Sequence, residues 1–272
     1  MTTIWRLFDD LGGATGDEQM ALDEALLEAA EADPGFTPTL RLYAFDPACL
    51  SLGRTQAMAS VDAEFAELRD LDLVRRPTGG MGVLHHQELT YSFIARIENP
   101  FTGSIEQNYT LLSEALAAGF AAHFRLKCEL EPARPEKTDS GACFIVPGLK
   151  ELKVGGRKLV GSAQRRLRHA FLQHGAIPLK TDYALHAGCF KMAESELRAA
   201  MIDLSEAAGK PVDLAAAAWA VTIGMKQRFA VEFRGGRLPA SITARAEILE
   251  QEKYATAEWL ERADTSPGAS VQ

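Results

Sequence analysis

Little in this chain points to metal, disulfide, membrane or nucleic-acid chemistry. Its 272 residues include four cysteines, Cys49, Cys128, Cys143 and Cys189, with no CxxC pair and no histidine at zinc-ligand spacing. Neither a disulfide framework nor a metal site is expected, and a reducing, cytoplasmic setting is. No apolar run approaches the roughly 18 residues of a membrane helix, and the N-terminus lacks the basic-then-apolar order of a secretory signal. Basic charge is short as well: 29 Lys plus Arg against 37 Asp plus Glu give a net charge of -8, which is not the footprint of a nucleic-acid binder. Phosphate motifs are missing too. There is no GxxxxGK[ST], and Gly80-Met81-Gly82 is without the third glycine of a dinucleotide fingerprint.

What is present is ordinary globular composition, 47% apolar and 24% charged, enough to bury a core in one large domain with at most a small appendage. The charge is uneven. Residues 1–35 carry nine acids against Arg6, so the whole deficit of -8 lies there. The stretch Leu149 to Ala170 holds Lys150, Lys153, Arg157, Lys158, Arg165, Arg166 and Arg168 against Glu151 alone, a local excess of +6. The Ser-, Gly- and Pro-containing end, 264–272, reads as a loose tail.

Periodicity predicts strands at Thr3–Phe8, Thr39–Phe45, Cys49–Leu52, Leu73–Arg76 and Glu88–Ile97, the last alternating with Leu89, Tyr91 and Phe93 on one side. Helices are predicted at Asp17–Ala32, with its acids opposite an apolar face, at Val61–Leu71 and at Ser104–Phe124. Further on come strands at Glu151–Val154, Lys158–Arg166 and Ala170–Leu179, the first two joined by Gly155-Gly156, a two-residue turn suited to an antiparallel hairpin. Helices at Ser195–Ala208, Leu214–Phe229 and Pro239–Arg262, with a short strand at Ala230–Phe233, complete the chain. Strands come in runs rather than alternating one for one with helices. That pattern favours an α+β fold with a mixed, largely antiparallel β-sheet packed with α-helices.

Three segments carry candidate chemistry. In Arg75-Arg76-Pro77-Thr78-Gly79-Gly80-Met81-Gly82-Val83-Leu84-His85-His86, clustered glycines allow close backbone approach to a ligand, and two arginines stand ready for an anion. A tight turn with solvated arginines fits the same residues equally well. In Ser140-Gly141-Ala142-Cys143-Phe144, the basic stretch nearby favours the thiolate of Cys143, although a lone cysteine is more often inert and buried. In Gly155-Gly156-Arg157-Lys158-Leu159-Val160-Gly161-Ser162-Ala163-Gln164, the small Gly161, Ser162 and Ala163 leave room for Lys158 to reach into a cleft, against the bland alternative of a solvated strand-end lysine.

In order along the chain, Met20-Ala21-Leu22-Asp23-Glu24-Ala25-Leu26, Arg41-Leu42-Tyr43, Leu50-Ser51-Leu52-Gly53, the arginine and glycine segment, Glu88-Leu89-Thr90-Tyr91-Ser92, Ala142-Cys143-Phe144, the Lys158 segment and Leu172-Gln173-His174-Gly175 resemble the biotin/lipoate protein ligase superfamily. The nearest branch is that of the octanoyl-[acyl-carrier-protein]:protein N-octanoyltransferases. The resemblance implies a catalytic domain over 1–236, a C-terminal helical segment packed on it over 237–263, and a flexible tail over 264–272. It implies Cys143 as nucleophile and Lys158 as the cation beside the acyl carbonyl. Substrate binding would fall to Arg75, Arg76, Gly79, Gly80, Gly82, His85, Gly161, Ser162 and Ala163. Acyl carrier protein would be the donor, a lysine of a lipoyl domain or of the glycine cleavage H protein the acceptor, and no cofactor or metal would be needed. A monomer is expected. An ATP-dependent lipoate-protein ligase and an octanoyl amidotransferase share the pattern as alternatives. Here the branch's usual Arg and Asp are replaced by Met81 and His86. The basic stretch is expected to steer acidic carrier domains toward Cys143.

Overall fold

The computed structural model describes residues 2–132, 141–142 and 150–262. In chain order these form β1 (Thr3–Ala14), α1 (Gly16–Ala32), β2 (Thr39–Phe45), β3 (Cys49–Leu52), α2 (Ala63–Glu67), β4 (Asp72–Arg75), β5 (Val83–His85), β6 (Glu88–Arg96), α3 (Ile105–Phe124) and β7 (Glu129–Pro132). There follow β8 (Lys150–Val154), β9 (Arg157–Arg166), β10 (Ala170–Pro178), α4 (Tyr183–Cys189), α5 (Glu194–Ala200), α6 (Leu204–Ala208), α7 (Leu214–Phe229), β11 (Val231–Gly235), α8 (Ala240–Leu249) and α9 (Ala257–Glu261). No described helix is long and apolar enough to cross a membrane.

The larger sheet has the strand order β11-β1-β2-β6-β10-β9-β8-β7. β1 runs parallel to β11 and β2, and every other pairing in it is antiparallel. This is the α+β, largely antiparallel arrangement expected from the runs of strands. Gly155 and Gly156 have φ of 58° and 78° between β8 and β9, positive values at both central positions that only a residue without Cβ adopts cheaply. A second, three-stranded sheet has the order β4-β3-β5. β2 and β3, adjacent in sequence, therefore belong to different sheets.

Two apolar layers flank the large sheet. On one side Leu89, Tyr91, Phe93 and Ala95 of β6 join Trp5, Phe171 and the inward faces of α3 and α7. On the other, Ile94 and Leu172 meet Met20, Ala25 and Leu26 of α1 and Ile242 and Leu249 of α8. The alternation of β6 is thus real, but its second face is not solvated: Thr90 and Ser92 are buried. α3 begins at a reciprocal capping box between Ser104 and Gln107, a device worth about 1 kcal/mol.

The acids of α1, expected opposite its apolar face, are not all exposed. Asp23 and Glu24 are buried, because cations from distant strands and helices come to meet them. The helix expected over Ser195–Ala208 is split. Ile202 N donates to the carbonyl of Lys158 (3.0 Å), and Asp203 caps the new start at Glu206 N (2.8 Å), so pairing with β9 overrides helical continuity. The helix expected over Val61–Leu71 is cut to α2, with Asp70 at a φ of 52° beyond its end. The expected C-terminal helix breaks into α8, a π-helical turn at Glu250–Tyr254, and α9, whose start is capped by Thr256.

Candidate active site

A cavity of about 330 Å³, measured out to its mouth, lies between the two sheets. Its walls come from α1 (Met20), β2 (Tyr43), the small sheet (Ser51, Val83, His85), β6 (Thr90), β9 (Gly161, Ser162, Ala163) and β10 (His174, Gly175, Ala176), with Arg76 at one side. The structure thus brings together Arg76, His85, Gly161, Ser162 and Ala163 of the residues expected to bind substrate. Cys143 lies outside the described residues.

Arg76 and Arg75, neighbours in sequence, point to different tasks. Arg76 is buried; its Nη2 donates to the carbonyls of Gly79 and Met81 (both 2.7 Å), and its Nε donates to Thr78 Oγ1 (3.2 Å). One guanidinium thereby holds the glycine turn in shape. Gly80, at a φ of 88°, packs so tightly on Gly53 that a Cβ there would collide with the Gly80 carbonyl. Gly79, Gly80 and Gly82 accordingly shape the loop beside the cavity.

Arg75 corrects an expectation. Instead of awaiting an anion it is fully buried on the far side. Its Nε and Nη2 donate to the Leu260 carbonyl (2.9 and 2.7 Å), and its Nη1 donates to those of Gly53 and Gln56 (both 2.7 Å). Trp259 Nε1 returns a hydrogen bond to the Arg75 carbonyl (2.8 Å). Carbonyl groups satisfy the donors without neutralising the charge, and burial pulls the guanidinium pKa below its usual value.

Beneath the cavity runs a polar network. Thr78 Oγ1 lies 2.7 Å from His174 Nε2, and His174 Nδ1 lies 3.0 Å from Asp23 Oδ2. Asp23 also accepts from Arg41 (2.9 Å), Tyr43 (2.9 Å) and Ser92 (2.7 Å). Burial alone would raise the Asp23 pKa, but the hydrogen bond from His174 and the charge of Arg41 hold it below the usual carboxylate range. Burial pushes His174 the other way from a cation, below the ordinary imidazole value, in spite of Asp23. On the small-sheet wall, Ser51 Oγ lies 2.9 Å from His85 Nε2, and His85 Nδ1 lies 3.1 Å from Glu88 Oε1. Sequence reasoning quoted Asp23, Arg41, Tyr43, Ser51, Glu88 and His174 inside matching segments but gave them no role. The polar alternate positions of β6, Thr90 and Ser92, were the available signal that its second face meets polar partners.

Lys158 is not a solvated strand-end lysine. It is buried, and its Nζ lies 3.1 Å from Glu151 Oε1, with Lys153 Nζ 3.2 Å from Glu151 Oε2. Three more cations of the basic stretch are also engaged within the chain. Arg157 pairs with Glu206 (2.6 Å), Arg165 with Glu24 (2.7 Å), and Arg166 donates to the Gly103 carbonyl (2.6 Å). Much of the local +6 therefore serves the fold and meets the acids of α1, which weakens it as a steering patch. The remaining thiols are poor nucleophiles: burial raises Cys49 well above the usual range, Cys128 to about 11 and Cys189 to about 12. Among the described residues no group of three His, Cys, Asp or Glu could hold a metal.

Gly141 and Ala142, immediately before Cys143, are fixed against this site. Gly82 N donates to the Gly141 carbonyl (2.8 Å), which also accepts from Gln56 Nε2 (2.9 Å), and Ala142 bridges to Gly82.

Comparison with known proteins agrees with this architecture. Residues 15–226 match the family model described as the lipoyl protein ligase A/B catalytic domain. Octanoyltransferase LipM of Moorella thermoacetica is 38% identical, over 95% of this chain and 98% of its own length. The enzyme of the same name from Brevibacillus brevis is 36% identical, over 88% and 92%. Among solved structures, a lipoate-protein ligase A bound with ATP superposes with a TM-score of 0.80 at 22% identity, covering 95% of this chain and 99% of the other. The bi-partite lipoate protein ligase of Thermoplasma acidophilum gives 0.78 at 21%, covering 95% and 97%. At such identities these two establish likeness of fold. With the family model matched over most of its length and full-length relatives above 30% identity, the chain belongs to the lipoyl protein ligase A/B catalytic-domain family.

Proposed function

We propose that this protein is an acyltransferase of protein lipoylation. It takes an octanoyl group from the thioester of acyl carrier protein onto Cys143, and passes it to a lysine ε-amine of a lipoyl domain or the glycine cleavage H protein. The observation that carries this reading is near full-length similarity to enzymes named octanoyltransferase. Tethering of Gly141 and Ala142 to the glycine loop supports it, since their neighbour in sequence is Cys143.

In the first step the Cys143 thiolate attacks the acyl carbonyl, a new C–S bond forms, and the carrier thiolate leaves and takes up a proton. In the second, the acceptor amine attacks the Cys143 thioester, the C–S bond breaks, and the proton lost by nitrogen returns to the thiol. Division into a thioester exchange and an aminolysis replaces one difficult step. The Lys158 ammonium, buried in low dielectric, supplies positive charge for the thiolate and the developing oxyanion. Met20, Val83 and Ala176 give the acyl tail apolar contact, and the small Gly161, Ser162 and Ala163 leave it room. The reaction exchanges one activated acyl bond for an amide and calls for neither ATP nor a cofactor.

Intact-mass measurement tests this directly. With octanoyl-acyl carrier protein the chain should gain one octanoyl mass, localised to Cys143, and Cys143→Ala should lose both the adduct and transfer. Transfer from free lipoate that depends on ATP and survives Cys143→Ala would establish the ligase alternative instead.

A further inference from the structure

Two side chains with no part in the transfer above, Ser51 and Glu88, stand on either side of His85 in a hydrogen-bonded line. Ser51 Oγ lies 2.9 Å from His85 Nε2, and His85 Nδ1 lies 3.1 Å from Glu88 Oε1. Both separations fall within the roughly 2.6–3.2 Å expected of a nucleophile, its base and the group that orients the base. The tautomer follows from donor chemistry. An ionised carboxylate only accepts, so Nδ1 carries the proton toward Glu88 and Nε2 presents its lone pair to the Ser51 hydroxyl. The ring is also held by Phe45, stacked at 4.1 Å between centroids. Arg76 Nη1 lies 3.4 Å from Ser51 Oγ, placing a cation beside any negative charge that develops there. All three members are buried, and Ser51 and His85 line the cavity. Among the described residues Glu88 Oε2 is buried with no hydrogen-bond partner, a cost that a purely structural carboxylate would ordinarily avoid.

We propose that Ser51, His85 and Glu88 form a serine hydrolase triad that cleaves medium-chain acyl thioesters and esters entering the cavity. The inference rests on the acyl reading of this cavity given above. His85 Nε2 takes the hydroxyl proton as Ser51 Oγ bonds to the acyl carbon. The carbon–sulfur bond breaks, and the leaving thiolate receives that proton, leaving an octanoyl ester on Ser51. Water then gives a proton to His85 and its oxygen bonds to the acyl carbon. The ester bond breaks, Oγ recovers the proton, and free octanoate departs. Ser51 and His85 are the catalytic residues; Glu88 is a positioning residue that acts through His85. Such a centre would clear a cavity occupied by an acyl chain that finds no acceptor lysine.

The experiment uses the full chain carrying Cys143→Ala, so that no cysteine acyl-enzyme contributes, with 4-nitrophenyl octanoate and octanoyl-acyl carrier protein as substrates. Hydrolysis should exceed the buffer rate, and adding Ser51→Ala should lower it at least about 100-fold. Glu88→Gln should lower kcat while leaving KM within about twofold, a split that general loosening of the cavity would not give. Because removing a buried hydroxyl can disturb the wall, an octyl fluorophosphonate provides a reading on the unmutated chain: one covalent adduct, mapped to Ser51. No adduct at Ser51, or hydrolysis unchanged by Ser51→Ala, overturns the triad. Loss of acyl transfer by the unmutated chain with hydrolysis intact overturns the transferase reading alone.

Discussion

Asp23 Oδ2 on α1 lies 3.0 Å from His174 Nδ1 on β10, joining the most acidic segment of the chain to the floor of its cavity across 151 positions of sequence. The carboxylate also accepts from Arg41, Tyr43 and Ser92, one cation and two hydroxyls on β2 and β6. Removing it would leave the Arg41 guanidinium buried without its counter-ion. Asp23→Asn should therefore destabilise by about 3–5 kcal/mol, read as a lower urea midpoint.

As pH falls, the buried histidines weaken the fold, while Asp17, whose carboxyl is raised to about 7 by burial and by the charge of Asp72, strengthens it. Burial lowers His174, and burial together with the charge of His86 lowers His186 to about 4. Below the ordinary imidazole value of about 6.5 the unfolded chain binds protons that the folded chain refuses, so stability falls with falling pH. For His186 the window runs from about 6.5 down to about 4 and carries on the order of 3 kcal/mol. With Asp17→Asn removing the opposing carboxyl, urea midpoints measured from pH 7 to pH 5 should fall, and adding His186→Gln should flatten the slope. The depressed Asp23 acts lower: its stabilisation is full above the unfolded carboxylate value near 3.9 and is lost as pH drops through its folded value.

Lys158→Met should fold and yet lose transfer. Glu151, the carboxylate left behind, keeps Lys153 at 3.2 Å, so no buried anion is stranded. Thermal melting within a few degrees of the parent, with octanoyl transfer falling by at least about 100-fold, is the expected pair of readings. Unchanged transfer would reduce Lys158 to a structural cation.

Two arginines of the basic stretch, Arg165 and Arg168, should separate in their effects. Arg165→Glu places a second carboxylate beside Glu24 and should destabilise by about 1–3 kcal/mol, read by denaturant unfolding. Arg168 is exposed at the β9–β10 turn, and Arg168→Glu should leave the urea midpoint unchanged.

Trp259→Phe removes one hydrogen bond to the Arg75 carbonyl and should cost about 1 kcal/mol, whereas Arg75→Ala empties a clamp on several carbonyls and should cost more than 3 kcal/mol. Amide exchange over Ala257–Glu261 should quicken in both, and more so in Arg75→Ala.

Much of this architecture was legible from local pattern. The Gly155-Gly156 hairpin, the strands β2, β3 and β6 and the helices α1, α3 and α7 follow from periodicity and turn chemistry, because each signal lies within its own segment. What was hidden depends on partners far away. Val83–His85 is too short to show a period, and it is a strand only because β3 lies beside it. The burial of Asp23 and Glu24 on α1 could not be read locally, since Arg41, Arg165 and Lys253, which meet them, lie 18 to 229 positions away. Arg75 and Arg76 carry the same chemistry in sequence. Alternation along a strand sends one to the far side and the other to the cavity, and which is which depends on the face the small sheet turns inward.

The Arg75 clamp also bears on when the site can exist. Its guanidinium is satisfied by carbonyls at Trp259 and Leu260, 184 and 185 positions downstream. A chain emerging from the ribosome presents the glycine loop and the small sheet long before those carbonyls are made. Until then Arg75 must find water, and the strand that ends in the glycine loop lacks its outer brace. The strand that ends in the glycine loop is thus braced by residues 259 and 260, nearly the last ones described, so that its bracing waits on the C-terminal part of the chain.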